Sequence, residues 1–271
     1  MVAILGWGFE SGKRENRNRR QRTLEPFGQE SEGCIPPLRP AEFPVYAYLA
    51  EEGAKVVLTD VNPEAVASAA EAILKNGGAA IGIPVDVRDY GQIESAAATT
   101  LEAFGRIDLL LNFAGGAEGR MLNCALPFHE MPIEVIDWGL DVNLKGVVYC
   151  CRAVLGTMIK QKSGVIVNLG SVTGVQGDGY GAVNYSAAKS GIIGLTKSIA
   201  LCGAPHGVRC CCVSPGPVLT RPGMADLKTR LGRAAEPIEV VDLILYLCSD
   251  KAAFITGTNY LIDGGRSIGG L

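Results

Sequence analysis

The sequence predicts an α/β fold with a doubly wound, parallel, Rossmann-like sheet in a single domain. From about residue 45 onward, short runs rich in Val, Ile and Leu alternate with helical patterns, as in successive βαβ units. Residues 109–111 and 165–167 are apolar at every position, which is typical of strands buried on both faces. A chain of 271 residues also has the length of one large α/β domain.

The strands and helices follow one another in a regular order. Apolar runs predict six strands, at residues 55–60, 79–86, 107–114, 164–171, 208–215 and 259–263. Apolar residues at helical spacing predict five helices between them, at residues 63–75, 90–104, 133–160, 185–202 and 237–248. No repeat or linker interrupts this pattern, so we expect residues 45–271 to form one domain.

The first 44 residues are atypical. They contain a basic tract at residues 13–22 and four closely spaced prolines at residues 36–44, with few apolar side chains. This composition predicts a solvated or disordered segment. A basic tract can also bind RNA or direct a chain to an organelle, but the interspersed Glu10, Glu15 and Glu25 weigh against a transit peptide.

The overall composition is that of an ordinary soluble protein. Apolar residues make up 48% of the chain and charged residues 20%, and the formal net charge is −3. This balance does not favour a nucleic-acid partner. The apolar stretches fall short of the roughly 20 residues that a membrane helix needs, so we expect no membrane span.

The nine cysteines predict a reducing, cytoplasmic environment. Their number is odd, most lie in apolar runs, and no C-x-x-C pair occurs. A zinc site at residues 210–212 with His206 is conceivable. However, adjacent residues on a strand point to opposite faces, so we expect no metal site there.

The pair Tyr185 and Lys189 is the strongest catalytic signal. Of eight tyrosines, only Tyr185 has lysine four residues later, on the same face of a helix. Proton exchange near neutrality requires the phenol pKa to fall by about 3 units, or about 4 kcal/mol. A cation about 4 Å away, at an effective dielectric of about 20, supplies a term of that size. We therefore expect Lys189 to lower the pKa of Tyr185.

Ser171 strengthens this hypothesis. It ends the predicted strand 164–171, at the carboxyl edge of the sheet where ligands bind in open α/β folds. A hydroxyl at that position can hold a carbonyl or alcohol oxygen beside the tyrosine.

Together with further marks in the same order, these residues resemble the short-chain dehydrogenase/reductase family over residues 47–265. The marks are Asp60, Asp86 and Val87, the Asn112-Phe113-Ala114-Gly115 run, Asn143, Ser171, Tyr185, Lys189 and the Pro215-Gly216-Pro217-Val218 run. The resemblance implies an NAD(P)-dependent oxidoreductase.

The resemblance also implies a role for each position. Tyr185 would be the acid/base, Ser171 would orient the substrate oxygen, Lys189 would hold the cofactor ribose, and Asn143 would anchor a relay water. The implied cofactor-binding residues are Asp60, Asp86, Val87, Asn112, Ala114, Gly115, Tyr185, Lys189, Pro215, Gly216 and Val218. For Asn112 and Asn143, a helix cap or a satisfied buried amide stays open.

Asp60 favours NAD over NADP. A carboxylate after the second strand accepts hydrogen bonds from the adenosine ribose and repels a 2′-phosphate, and neither Val61 nor Asn62 offers a cation for that phosphate. The alternative is that Asp60 caps the following helix.

The phosphate-binding turn departs from the family pattern. A glycine-rich turn belongs shortly before Asp60, yet residues 36–44 contain no glycine. One alternative is a strand at residues 2–5 that leads into Gly6, Gly8 and Gly12. The other is a replaced N-terminus, as from a reading-frame error.

Three functions remain open. The leading one is hydride transfer between NAD(H) and a small secondary alcohol or ketone. The alternatives are a 3-oxoacyl-thioester reductase that uses NADPH and a non-catalytic oligomeric scaffold. We expect a homotetramer or homodimer packed partly through residues 237–248 and 259–263, and a substrate lid at residues 218–233 that carries Arg221. His129 is expected at the surface or at the rim of the site.

Overall fold

The computed structural model describes residues 2–6, 45–124, 126–179 and 182–268. The strands are β1 (Val2–Gly6), β2 (Lys55–Asp60), β3 (Ala79–Pro84), β4 (Leu109–Asn112), β5 (Gly164–Leu169), β6 (Val208–Pro215) and β7 (Asn259–Ile262). The α-helices are α1 (Val45–Glu51), α2 (Pro63–Lys75), α3 (Tyr90–Phe104), α4 (Glu118–Met121), α5 (Ile133–Leu140), α6 (Gly146–Gln161), α7 (Thr173–Gln176), α8 (Val183–Gly203) and α9 (Pro237–Cys248).

The seven strands form one sheet in the order β3-β2-β1-β4-β5-β6-β7. The pairs β2–β3, β4–β5, β5–β6 and β6–β7 are all parallel. Helices cover both faces of this sheet, so the predicted doubly wound α/β fold is confirmed. The carboxyl ends of β4, β5 and β6 meet at one edge, where such folds bind their ligands.

The central strand β1 is the exception to the parallel order. It pairs antiparallel with both neighbours: Val2 lies opposite Thr59 and Asn112, and Gly6 lies opposite Lys55. Gly6 is therefore at the amino edge of the sheet. The alternative in which residues 2–5 lead into a glycine turn at the ligand edge is wrong, because the strand runs in the opposite direction. The basic tract, Gly8 and Gly12 lie outside the described residues.

The alternating burial of the strands explains their continuous apolar runs. Leu109 and Leu111 pack into a core with α1, α2 and α9 on one face, whereas Leu110 packs into a second core with α3, α6 and α8 on the other. Cys211 belongs to the first core and Cys210 and Cys212 to the second, as expected for neighbours on a strand. Burial raises the pKa of all three thiols, which pack as small apolar groups.

The predicted helix at residues 133–160 is continuous but not uniform. Helix α5, one π-helical turn at Asp141–Lys145 and α6 follow each other without a break. The whole run Ile133–Gln161 is long and apolar enough to cross a membrane by length and composition alone. Soluble core helices pass the same test, and Val147, Val154 and Met158 of this run are buried in the second core.

Candidate active site

Three elements bring the predicted catalytic residues together at the carboxyl edge. Ser171 follows the end of β5, Tyr185 and Lys189 lie in the first two turns of α8, and Asn143 lies in the π-helical turn before α6. π-helical turns often occur at functional sites, because the extra residue redirects the side chains around it. In this chain the turn directs Asn143 inward, where it is fully buried.

Ser171 and Tyr185 are joined by a side-chain hydrogen bond. The Ser171 Oγ also accepts hydrogen bonds from the Thr173 amide at 3.2 Å and from the Thr173 hydroxyl at 3.0 Å. Thr173 therefore fixes the rotamer of Ser171 and aims its remaining hydrogen-bonding capacity at the phenol. The result is a pair of adjacent hydroxyl groups that can share one substrate oxygen.

Lys189 lies beside the ring of Tyr185. Its Nζ is 5.5 Å from the ring centroid and donates a hydrogen bond to the carbonyl oxygen of Leu169 at 2.7 Å. The side chain is almost completely buried, and this burial lowers the pKa of Lys189 to about 8. Lys189 is thus held between the end of β5 and the tyrosine.

The pKa of Tyr185 is raised, which corrects the expectation that Lys189 lowers it. Burial is the largest cause, because the phenolate would lose its hydration. The hydrogen bond from Ser171 and the charges of Arg120 and Arg221 act downward, and the charge of Glu118 acts upward. The ammonium of Lys189 is instead hydrogen-bonded to the carbonyl oxygen of Leu169.

Asn143 organises the loop after β4. Its Oδ1 accepts a hydrogen bond from the Gly116 amide at 2.8 Å, and its Nδ2 donates to the carbonyl oxygens of Gly116 at 3.0 Å and Gly139 at 2.8 Å. Gly115 adopts φ +148°, and a Cβ there would lie 2.5 Å from Asn143 Oδ1 and 3.6 Å from Lys189 Nζ. Asn143 is therefore a satisfied buried amide, and only glycine fits beside it.

Asn112 joins two strands beneath the site. Its Nδ2 donates to Asn168 Oδ1 at 2.8 Å, and Asn168 Nδ2 donates to the Thr196 hydroxyl at 3.0 Å. The chain of three side chains links β4 to β5 and α8. Asn112 Oδ1 has no hydrogen-bond partner within the described residues, and it is buried.

The β6 end of the site is tightly packed. Gly216 donates its amide to the carbonyl oxygen of Ile262 at 3.0 Å, and a Cβ at Gly216 would lie 2.7 Å from Asp263 Cα. Pro215 ends β6, and the buried Val218 forms an isolated bridge with Ala235. These contacts leave backbone and small side chains at the position expected to face a nicotinamide ring.

The β2 and β3 ends of the site carry two carboxylates. Asp60 Oδ1 accepts a hydrogen bond from the Asn62 amide at 3.0 Å, but Asn62, not Asp60, is the N-cap of α2, so the alternative role for Asp60 is wrong. Asp86 forms a bidentate pair with Arg88, whose Nε lies 3.0 Å from both oxygens. This hydrogen bonding lowers the pKa of Asp86. Val87 is buried next to it.

Residues 45–267 match the family model described as "Enoyl-(Acyl carrier protein) reductase". The chain is 38% identical over 229 residues to a 3-oxoacyl-[acyl-carrier-protein] reductase of Synechocystis, covering 80% of this chain and 88% of the relative. It is also 38% identical over 229 residues to the meso-2,3-butanediol dehydrogenase of Serratia marcescens, covering 80% and 86%. Oxidoreductase UcpA of Salmonella typhimurium is 36% identical over 238 residues, covering 81% and 87%.

The chain belongs to the short-chain dehydrogenase/reductase family. It is accordingly an oxidoreductase acting on CH–OH groups, and the cofactor of this family is NAD or NADP.

The residues of this short-chain dehydrogenase/reductase fit a dinucleotide at both ends. Asn112 keeps an unpartnered buried oxygen among the described residues, Gly115 and Gly216 leave no room for a side chain, and Lys189 places an ammonium at the carboxyl edge. At the other end, the carboxylate of Asp60 lies at the end of β2. The pyrophosphate position differs, because β1 runs away from this edge and its Gly6 is at the opposite one.

Three charged residues around Tyr185 were not assigned to the catalytic group from the sequence. Glu118 and Arg120 belong to α4, and Arg221, expected only as a lid residue, follows β6. Their signal in the sequence is their position: all three follow the carboxyl end of a strand, where loops carry function. His129 is exposed beside Glu130, in agreement with its predicted place at the surface.

Proposed function

We propose that this chain transfers a hydride between NAD(H) and a small secondary alcohol or its ketone, with Tyr185 as general acid and base. The observation that carries the proposal is the hydrogen-bonded pair of Ser171 and Tyr185, with Lys189 beside the phenol ring. Two adjacent hydroxyls at the carboxyl edge suit a single carbonyl or alcohol oxygen.

The chain's own residues would divide the proton chemistry among them. The bound nicotinamide supplies or accepts the hydride. In reduction, Tyr185 donates its proton to the carbonyl oxygen, and Ser171 holds that oxygen by its hydroxyl. In oxidation, Tyr185 accepts the alcohol proton instead. A raised phenol pKa keeps Tyr185 protonated near neutrality, so the protein alone favours the proton-donating, reductive role.

Lys189 and Asn143 would support this step from behind the tyrosine. Lys189 reaches the end of β5, and there it would hold the hydroxyls of a cofactor ribose. Asn143 holds the loop that contains Gly115 and Gly116, and the proposed relay water would sit near its amide. Asp86, Val87, Asn112 and Ala114 would line the cofactor from below, with Pro215, Gly216 and Val218 at the nicotinamide end.

The choice of NAD rests on Asp60. Its carboxylate follows β2, and the next two residues are uncharged, so a 2′-phosphate would meet a negative charge without a nearby cation in this turn. The Serratia relative is named for a secondary diol, which supports an alcohol or ketone substrate.

A second candidate is reduction of a 3-oxoacyl thioester with NADPH. The name of the Synechocystis relative favours it, at the same identity as that of the diol dehydrogenase. The two candidates share the Ser171 and Tyr185 chemistry and differ in substrate and nucleotide.

One assay matrix tests both. Purified protein is given NADH or NADPH with either acetoin or an acetoacetyl thioester, and nicotinamide absorbance is followed. We expect turnover with NADH and acetoin to exceed the other three combinations. Faster turnover with NADPH and the thioester would favour the second candidate. No turnover together with no nucleotide binding would leave the scaffold function.

We further propose a cytoplasmic homo-oligomer, either a dimer or a tetramer. Eight cysteines of the described chain are free thiols, which suits a reducing compartment. Strand β7 is an edge strand of the sheet, and Leu261 on β7 and Tyr246 on α9 are both exposed. Sedimentation as a strict monomer at micromolar concentration would contradict the oligomer.

A further inference from the structure

Arg120 is an arginine without a partner at the carboxyl edge of the sheet. It is exposed on α4, in the connection that follows β4. In the described part of the chain, the other arginines interact with carboxylates, carbonyl oxygens, a tyrosine hydroxyl or another group. Arg120 alone among these described arginines has no hydrogen bond or ion pair. A guanidinium is charged at every ordinary pH, so Arg120 offers N–H donors that no described residue accepts.

The acidic residue nearest to Arg120 in the sequence does not neutralise it. Glu118 lies two residues earlier in α4, has no exposed surface and has no hydrogen-bond partner among the described residues. Residues two apart in a helix do not face each other, so Glu118 enters the interior while Arg120 reaches solvent. Arg120 therefore presents its charge at the surface without a carboxylate beside it.

The guanidinium of Arg120 lies against the backbone of the loop after β4. A Cβ at Gly116 would lie 3.2 Å from Arg120 Nη2 and 2.9 Å from Met121 Cγ, so glycine lets both side chains of α4 approach the backbone. The amide and the carbonyl oxygen of Gly116 are both hydrogen-bonded to Asn143. Asn143 thus holds the backbone against which Arg120 packs.

This loop also brings Arg120 close to the catalytic residues. A Cβ at the preceding Gly115 would lie 3.6 Å from Lys189 Nζ. Because neighbouring Cα atoms are about 3.8 Å apart, the Arg120 guanidinium lies at most about 14 Å from the Lys189 ammonium. Lys189 Nζ is in turn 5.5 Å from the ring centroid of Tyr185. In agreement with this placement, the charge of Arg120 acts to lower the pKa of Tyr185, against the larger effect of burial.

We propose that Arg120 is a specificity-determining residue that binds a carboxylate of the substrate, which is then a small oxo acid or the corresponding hydroxy acid. The proposal rests on the proposed function, in which Ser171 and Tyr185 hold the carbonyl or alcohol oxygen of the same molecule. A planar guanidinium matches a carboxylate through two parallel hydrogen bonds. The bound carboxylate would also supply the counter-charge that Arg120 lacks.

A phosphate is the other anion that arginine recognises well. In a coenzyme A or carrier-protein thioester, the phosphate lies at the far end of the pantetheine arm, well away from the reacting carbonyl. Arg120 lies on the loop that also contacts Lys189 and Asn143, so a carboxylate on the reacting molecule itself fits its position better. Thioesters with and without phosphate are included in the test to separate the two sources of negative charge.

Pairs of substrates that differ only in charge test the proposal. Acetoacetate and methyl acetoacetate have the same reacting ketone, and levulinate and its methyl ester place the carboxylate one carbon further away. Values of kcat/KM are measured with NADH for each. We expect the parent to favour the acids, and Arg120→Gln to lower the ratio of acid to ester by about tenfold or more, as for the loss of one charge-assisted hydrogen bond. The ratio is the readout because an altered pKa of Tyr185 affects acid and ester alike.

Two further variants serve as comparisons. Arg120→Lys keeps the charge and should restore part of the ratio, although a point charge does not form two parallel hydrogen bonds. Lys197→Gln removes another exposed cation, which lies about 12 Å further along α8 than Lys189, and should leave the ratio at the parental value. An unchanged ratio in folded Arg120→Gln for both acid and ester pairs overturns the proposal.

The thioester pair identifies the competing source of charge. Acetoacetyl-CoA carries phosphates, and the acetoacetyl thioester of N-acetylcysteamine is neutral. If the preference between these two depends on Arg120 while neither acid and ester pair does, Arg120 binds a phosphate and the carboxylate proposal is wrong.

A binding measurement separates this proposal from the proposed function. Saturation-transfer-difference NMR gives dissociation constants of acetoacetate and methyl acetoacetate for the parent and Arg120→Gln, with and without NAD. Weaker binding of acetoacetate to the variant supports the role of Arg120 even if the chain reduces no ketone, in which case the proposed function alone fails. Equal dissociation constants in both proteins, or no binding of acetoacetate to the parent, overturn the role of Arg120 whatever the activity.

Discussion

The ammonium of Lys189 faces the carbonyl oxygen of Leu169 at 2.7 Å, while the ring of Tyr185 lies 5.5 Å from it. The lysine is therefore anchored to the end of β5, and its distance from the phenol is set by the helix geometry of residues four apart. In this arrangement burial dominates both groups: it raises the pKa of Tyr185 and lowers that of Lys189.

Tyr185→Phe should reduce kcat by at least about a hundredfold, because a general acid/base group typically contributes about 10²–10⁴ in rate. The change removes one hydroxyl that is hydrogen-bonded to Ser171 and leaves the ring in place. Stopped-flow or steady-state rates measure the effect, and circular dichroism checks the fold. Undiminished turnover in a folded variant would remove Tyr185 from the mechanism.

Lys189→Met should abolish the part of the pH dependence of the free energy of unfolding that arises from Lys189. The pKa of Lys189 is lowered to about 8 by burial, whereas the unfolded chain has the ordinary lysine value near 10.4. Between about pH 8 and 10.4 the unfolded state binds more protons, so this lysine makes the free energy of unfolding rise with pH by roughly 3 kcal/mol.

Denaturant titrations at several pH values compare the two proteins. Below about pH 8 the parent bears the full cost of the buried charge, and this cost disappears as pH rises through the window. The free energy of unfolding of Lys189→Met minus that of the parent should therefore fall as the pH rises from about 8 to about 10.4. If this difference stays constant over that pH range, Lys189 has the same protonation state in the folded and the unfolded parent protein.

Local signals in the sequence predicted much of the fold. Helices at residues 63–75, 90–104 and 237–248 have the predicted bounds, because their ends are set by nearby residues: Asn62 and Asp89 cap the first two, and Pro237 begins the third. Strands β2 and β6 also have the predicted bounds, and each is built around a run of consecutive apolar residues, 56–58 and 210–213. The other strands are shorter than predicted at their ends.

The features that the sequence did not predict depend on distant partners. The direction of β1 is set by pairing with β2 and β4, about 50 and 100 residues away along the chain, and five apolar residues are equally compatible with either direction. The burial of the Glu118 side chain is contrary to the usual exposure of glutamate, so only its packing against Gly139 reveals it. The π-helical turn at Asn143 likewise has no local sequence signal.

Gly115→Ala should damage the site more than the fold. The new Cβ would lie 2.5 Å from Asn143 Oδ1, and the residue would have to keep φ near +148°. Backbone strain of this kind costs about 1–3 kcal/mol. We expect the Asn143 clamp to shift and kcat to fall by roughly tenfold or more, given the sensitivity of catalysis to misplacement of about 1 Å.

Gly53→Ala is the matched control for this change. Gly53 also has a positive φ, of +89°, but a Cβ there would meet no atom within 4 Å. Gly53→Ala should therefore lower the free energy of unfolding by an amount comparable to that in Gly115→Ala, without lowering kcat. Equal losses of kcat in both variants would show that strain alone, not the position of Asn143, limits the reaction.

Asn62→Ala is a control for the test of Asp60, because it separates the capping of α2 from the discrimination between NAD and NADP in the same turn. Asn62 accepts hydrogen bonds from the Glu64 and Ala65 amides at 2.9 Å and caps α2, so its loss should cost about 1 kcal/mol of stability. Its neutral side chain does not discriminate between nucleotides. The ratio of the dissociation constants for NAD and NADP should therefore stay at the parental value.

Asp60→Ala should change that ratio. Loss of charge-assisted hydrogen bonds to two ribose hydroxyls, each worth about 1.5–3 kcal/mol, weakens NAD binding, and loss of the negative charge leaves NADP binding equal or stronger. Calorimetric titration of both nucleotides measures the ratio.

The Asp60 carboxylate also accepts a hydrogen bond from the Asn62 amide at 3.0 Å. A loss of stability like that of Asn62→Ala is therefore expected in Asp60→Ala, and this loss does not bear on the choice of cofactor. If both dissociation constants stay constant, Asp60 serves only the turn and the choice of NAD fails. If neither nucleotide binds the parent at millimolar concentration, the reversed β1 leaves the pyrophosphate without its anchor.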